Sequence, residues 1–157
     1  MNRNHVFGNS SNAVIATITK PLQEVCHEGL VIANSRKLFC PDFSIIRGLT
    51  TADDQYELFK KGRLLVSGLR YEITDKNKVV TNCDGYSVIS DHQKTDEFGL
   101  AMAFDFCAWV DGTNYDDYNM ALIATCFFEA ASNQCVDIDW GGSYRSLSDG
   151  SHVGLII

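Results

Sequence analysis

His92, Asp105, Asp149 and His152 are the residues of this 157-residue chain whose types and spacing could do chemistry. Two imidazoles and a carboxylate are a ligand set that suits zinc, with the fourth position left open for water. A further carboxylate, Asp149, stands three residues before His152 in Asp149-Gly150-Ser151-His152. Placed beside such a site, it could take a proton from that water. The chemistry implied is metal-assisted hydrolysis.

Asp105 is the strongest local clue. It interrupts a stretch whose other positions are apolar or small. An ionised carboxylate is not left in such a place unless it is paired or bound to metal. Its same-face neighbours Ala101 and Ala103 leave room for a site. A buried Asp paired with an Arg, or bonded to backbone amides, explains the pattern equally well. His152 opens an apolar stretch behind a Gly-containing turn, where a structural histidine is the commoner outcome. Asp149 stands in Asp-Gly turn chemistry. His92 lies in the polar run Ser90-Asp91-His92-Gln93, where an exposed loop residue is the plain reading. Singly, each signal is weak.

Strands and helices must position these residues. Leu100, Met102, Phe104 and Phe106 alternate with Ala101, Ala103, Asp105, Cys107 and Trp109, which predicts a two-faced strand from Gly99 to Trp109. Cys135 to Trp140 and Val153 to Ile157 are predicted as further strands. Phe39 to Gly48 reads as a turn and then a strand, with Phe43 and Ile45 on one face and Ser44 and Ile46 on the other. Helices are predicted at three places. The first runs from Pro21, which suits a first turn, to Asn34, with a stripe of Leu22, Val25, Cys26, Leu30 and Ala33. The second continues through Gln55 to Lys61 behind the cap Thr51-Ala52-Asp53-Asp54 and stops at Gly62. The third spans Asp116 to Ala131, with Met120, Ile123, Ala124, Phe127 and Phe128 as its stripe. Leu69 to Ile73 and Lys78 to Thr81 are expected to pair as a hairpin around Asp75-Lys76-Asn77. These elements predict an α+β fold with a small, mostly antiparallel sheet and flanking helices. No repeat, low-complexity tract or linker divides the chain, so residues 1–157 are expected to form a single catalytic domain.

In this order the segments resemble the peptidoglycan-cleaving zinc peptidases, which include D-Ala-D-Ala carboxypeptidases and dipeptidases and phage L-Ala-D-Glu endopeptidase endolysins. The resemblance is carried by Ser90-Asp91-His92, by Ala103-Phe104-Asp105-Phe106 and by Asp149-Gly150-Ser151-His152. Two framework segments add to it. Asp42 to Gly48, followed by Thr51 and Gln55-Tyr56-Glu57-Leu58, is similar to the family's strand, turn and helix. Asp137-Ile138-Asp139-Trp140-Gly141-Gly142 is similar to its Trp-Gly-Gly segment before the last metal ligand. The match spans roughly residues 20 to 157. It implies a hedgehog/DD-peptidase-like fold, zinc held by His92, Asp105 and His152, and Asp149 as the catalytic base. The substrate implied is a stem peptide of peptidoglycan. Ser90, Trp140 and Arg47 become candidates for substrate contact.

Three departures qualify the resemblance. His92 and Asp105 are 13 positions apart, wider than the family pattern, which reads as a six-residue insertion over roughly residues 94–99. Thr50 stands where the family often has an Arg that binds a substrate carboxylate or the transition state. An ideal strand would turn Arg47 away from the site, which leaves Arg63 and Arg70 as other sources of charge. Some relatives carry an acid two residues after the last His; here that residue is Gly154, so Asp149 is the local candidate for the base.

Composition narrows the role. The net charge is -7, so nonspecific binding to nucleic acid or anionic membrane is disfavoured. No apolar run is long enough to span a bilayer. The N-terminal stretch lacks the pattern of a signal peptide, so the expectation is synthesis in the cytoplasm and action on the wall after the membrane opens. The six cysteines form no CxxC pair and are expected as reduced thiols, their even number being compatible with disulfides in an oxidising space. Asp111, Asp116 and Asp117 do not have calcium-loop spacing and fit a helix N-terminus better. The role expected is an L-alanyl-D-glutamate endopeptidase endolysin acting as a monomer. The alternatives are a D-Ala-D-Ala carboxypeptidase or dipeptidase, and a relative that binds the cell wall or a protein without cleaving it.

Overall fold

In the computed structural model, which describes residues 4–68, 70–145 and 149–157, the elements follow the order α1 (Asn9–Ile15), α2 (Lys20–Ser35), β1 (Asp42–Arg47), α3 (Ala52–Phe59), β2 (Arg63–Ser67), β3 (Arg70–Ile73), β4 (Ala103–Trp109), β5 (Thr113–Asn114), α4 (Asp117–Asn133), β6 (Ile138–Trp140) and β7 (His152–Leu155). The alternating stretch around Asp105 forms β4, at the middle of the main sheet. That sheet runs β1-β4-β7-β6, with β5 on the far end of β4, and every pair is antiparallel. The α+β class and the small antiparallel sheet are those expected from the sequence.

One face of the sheet makes the core. Phe104 and Phe106 of β4 and Phe43 of β1 each meet Phe127 of α4 edge-on, with ring centroids 5.1, 5.1 and 5.3 Å apart. Edge-on aromatic pairs contribute about 0.5–1.5 kcal/mol each beyond their buried area. Helix α2 lies against α4 at Gly29, where a Cβ would stand 2.7 Å from the Phe127 ring, so glycine permits the close approach. Met120, Ile123, Ala124, Phe127, Ala130 and Ala131 form the buried stripe of α4. Phe128, expected in that stripe, is exposed, because it sits one residue further round the helix. The caps follow the sequence: Asp54 N donates to Thr51 Oγ1 at 3.1 Å, and Tyr118 N and Asn119 N donate to Asp116 Oδ1 at 3.1 and 3.4 Å.

Two expectations change. The hairpin is not 69–73 with 78–81 but β2 with β3, turning through Gly68 at a φ of 54°. Asp75-Lys76-Asn77, read as its turn, instead starts a helical turn over Lys76–Lys78, with Asn77 N donating to Asp75 Oδ1. Leu69 lies outside the described residues. The long strand from Gly99 is also shorter than expected. Regular pairing begins at Ala103, since residues 94–102 fold back on themselves through a Thr95–Ala101 bridge.

Candidate metal centre

The second face of the sheet carries the polar residues. β4 and β7 place Asp105 opposite His152, and residues paired across strands present their side chains on one face. β1 brings Arg47 to the same place. Simple alternation would put Arg47 with Phe43 and Ile45, towards the core. The register shifts between Ile45 and Arg47, so Arg47 pairs with Asp105 instead. An extra residue in one strand re-aims the side chains that follow it. The Arg47 guanidinium then lies 3.5 Å from Asp105 Oδ2 and donates to Gln55 Oε1 at 2.5 Å. Gln55 is fully buried, and its amide donates to Thr81 Oγ1 and to the Cys83 carbonyl at 3.1 and 3.0 Å.

His92 arrives from the loop before β4 and is fixed by both its ring and its backbone. Nδ1 donates to the Gly48 carbonyl at 2.9 Å. Thr50 N donates to the His92 carbonyl at 3.1 Å, and His92 N donates to Ser90 Oγ at 3.3 Å. Gly48 has no room for a side chain, because a Cβ there would lie 2.3 Å from Thr17 Oγ1 and 2.9 Å from Ile18 Cγ2. The wide spacing to Asp105 is absorbed by the 94–102 turn. There Asp96 Oδ1 accepts from Phe98 N and Leu100 N at 2.9 Å each, and Met102 N donates to the Lys94 carbonyl.

Three atoms converge as a result. His92 Nε2 is 3.0 Å from Asp105 Oδ1 and 3.2 Å from His152 Nδ1, and His152 Nδ1 is 3.3 Å from Asp105 Oδ1. Ligands about 2.0–2.1 Å from a tetrahedral metal are about 3.3 Å from one another, so the triangle has the size of one face of such a site. The tautomer also fits: with Nδ1 of His92 committed to Gly48, Nε2 is free to ligate. All three residues are buried, and the group could hold a metal ion.

Electrostatics favour a cation here. Burial works against the charge on Asp105, but the adjoining His152 and His92 side chains outweigh it and hold the carboxyl well below its ordinary range. Asp91 is held low chiefly by its contact with His152, with Lys94 adding to the effect. Burial opposes a charge on His152 as well, yet Asp105 and Asp91 push its pKa up to about 10. The two carboxylates thus favour positive charge at this point, whether on His152 or as a bound cation.

The triangle sits in the wall of an open cleft of about 980 Å³ that is also lined by Arg47, Ser90, Asp91, Tyr144, Asp149 and Ser151. Asp149 is held in a tight turn. Its Oδ1 accepts from Ser151 Oγ at 2.7 Å and from Ser151 N at 3.3 Å. Trp140 is not among the cleft-lining residues. Its indole donates to the Gly150 carbonyl at 2.8 Å, and Asp149 N donates to the Gly141 carbonyl at 3.0 Å. The Trp-Gly-Gly segment is thus a brace for the 149–152 turn. Arg63 stacks on Phe59 and donates to Asn82, and Arg70 pairs with Glu72 on the surface; neither lines the cleft.

Two residues at the site gave little sequence signal. Asp91, between Ser90 and His92, places a carboxylate oxygen 3.7 Å from His152 Nε2. Gln55 was legible as part of a helix, and a polar residue at a helical core position was the available hint of its tie to Arg47.

No family model matches the chain, and no curated protein matches it in sequence. Among solved structures it is similar to the Serratia marcescens L-Ala D-Glu endopeptidase ChiX, with a TM-score of 0.66 and 21% identity, over 97% of this chain and 91% of that one. At that identity the likeness is one of fold, and it extends over nearly all of both chains.

Proposed function

We propose that this chain is a zinc-dependent peptidase that hydrolyses peptidoglycan stem peptides, as an L-alanyl-D-glutamate endopeptidase of the endolysin type. The observation that carries the reading is the buried His92–Asp105–His152 triangle opening on a cleft beside Asp149. The name of the structural neighbour, an L-Ala D-Glu endopeptidase, supports the choice of bond. Taken this way, residues 1–157 act as one catalytic domain that works as a monomer on the wall once the membrane is opened. Among the described residues, no helix is long and apolar enough to cross a membrane.

His92, Asp105 and His152 would hold the ion. A zinc ion held there would supply Lewis-acid polarisation of the scissile carbonyl and would lower the pKa of a water from 15.7 to about 7. Asp149 is the general base. Ser151 holds its Oδ1, which leaves Oδ2 to take the proton of the attacking water and pass it to the leaving amine. Arg47 offers a cation at the cleft wall for a substrate carboxylate or a developing oxyanion. Ser90 steadies the backbone of His92, and Trp140 acts through the Gly150 turn.

The test is metal content of the purified protein and of His92→Ala, alongside stem-peptide hydrolysis with and without chelator. About one zinc per chain, lost in the variant, with chelator-sensitive release of new amino groups, supports the reading. Absence of both metal and cleavage rejects it and favours a binding protein built on this scaffold. One observation favours a second reading: Arg47 lies in the cleft, where it suits the terminal carboxylate of a D-Ala-D-Ala substrate. Free D-alanine as the product would select the carboxypeptidase or dipeptidase instead.

A further inference from the structure

Away from the cleft, two of the six thiols meet. Cys40 lies in the segment between α2 and β1, Cys126 lies midway along α4, and their sulfurs are 3.8 Å apart. Both are buried. We propose that Cys40 and Cys126 are a cross-linking pair, which an oxidising environment closes into a disulfide that ties the segment before β1 to α4.

The geometry asks for little movement. A disulfide holds its sulfurs about 2.05 Å apart, so they must approach by about 1.8 Å. Leu38 and Phe39, just before Cys40, are 78% and 77% exposed, and the amides of Phe39 and Cys40 both bond to the Arg36 carbonyl. The chemistry is divided between the two thiols. A hydrogen bond from Cys40 and the nearby Arg36 charge outweigh burial and lower the Cys126 thiol, while Cys40 is pushed up. That order of acidity makes Cys126 the thiol that gives up its proton first and attacks.

The step balances with a small-molecule disulfide as oxidant. The Cys126 thiolate attacks one of its sulfurs, the oxidant's S–S bond breaks, and one thiolate leaves. Cys40 then gives up its proton and attacks the Cys126 sulfur of the mixed disulfide, which releases the second thiolate. The protein loses two protons and two electrons, and the oxidant becomes two thiols. The joined residues are 86 positions apart. A cross-link over so long a loop restricts the unfolded chain strongly and should raise Tm by about 10 °C. The inference does not depend on the peptidase reading.

The test uses the full chain carrying Cys135→Ser, which removes an exposed thiol able to link two molecules. The reduced protein is incubated with oxidised glutathione, the remaining thiols are alkylated, and the products are mapped by mass. The expected result is loss of two alkylation sites, a peptide joining Cys40 to Cys126, and a rise in Tm of about 10 °C that dithiothreitol reverses. The closing rate should climb with pH, because the thiolate is the attacking form. Cys126→Ser should abolish the linked peptide and the redox-dependent shift. Full alkylation of every thiol after incubation, or a linked peptide joining other cysteines, would overturn the proposal. The map of the Cys135→Ser protein decides the matter by itself if Cys126→Ser fails to fold.

Discussion

At the scale of single residues, binding and turnover separate. Asp149→Ala should lower turnover by about 10²–10⁴-fold, the usual worth of a general base, while metal content stays at the wild-type level. His152→Ala should lose both metal and turnover. Equal activity of Asp149→Ala and wild type would remove Asp149 from the mechanism. Arg47→Ala leaves the Gln55 Oε1 acceptor buried without its donor, which costs about 1–3 kcal/mol and is measurable by urea unfolding. All four residues of the opening reading, His92, Asp105, Asp149 and His152, line the cleft. The two accounts offered for Asp105, metal ligand and Arg partner, both have their groups in place, since it touches His92, His152 and Arg47. Arg47 was misplaced by the sequence because a bulge has no residue signature there; periodicity assumes a regular strand.

At the scale of elements, the meeting of β1 and the 90–92 loop fixes one corner of the site. Gly48→Ala would drive a methyl into Thr17 and Ile18. The expected cost is about 1–3 kcal/mol, with weaker metal retention because the Gly48 carbonyl holds the His92 ring. Unchanged Tm and metal affinity would show that the contact relaxes freely. Strands and helices with strong apolar periods were readable within a few residues, as α2, α4 and β4 illustrate. The 63–81 region was not. Its hairpin has exposed residues on both faces, Leu64, Leu65 and Val66 among them, so no buried face imposes a pattern and register is weakly written in sequence. The wide spacing between His92 and Asp105 was legible in the sequence, but not the turn over residues 94–102 that closes on its own hydrogen bonds.

At the scale of the whole molecule, the two faces of the sheet divide the work: one is filled by phenylalanines and helices, the other holds the cleft. Phe127 touches Phe43, Phe104 and Phe106 at once, so Phe127→Ala should cost about 3–5 kcal/mol, lowering Tm by about 10 °C. Because β4 supplies both Phe104 and Asp105, such a loss in the core should also loosen the metal triangle. Chelator titration of the variant against wild type would read this. The brace between Trp140 and Gly150 gives the molecule a built-in optical reporter. The chain has two tryptophans; Trp109 is 53% exposed, whereas the Trp140 indole is fastened to a carbonyl two residues from His152. In a Trp109→Phe protein, the remaining emission should change in wavelength or intensity when an ion or a peptide settles at His152, so occupancy of the cleft could be followed by light with no label attached.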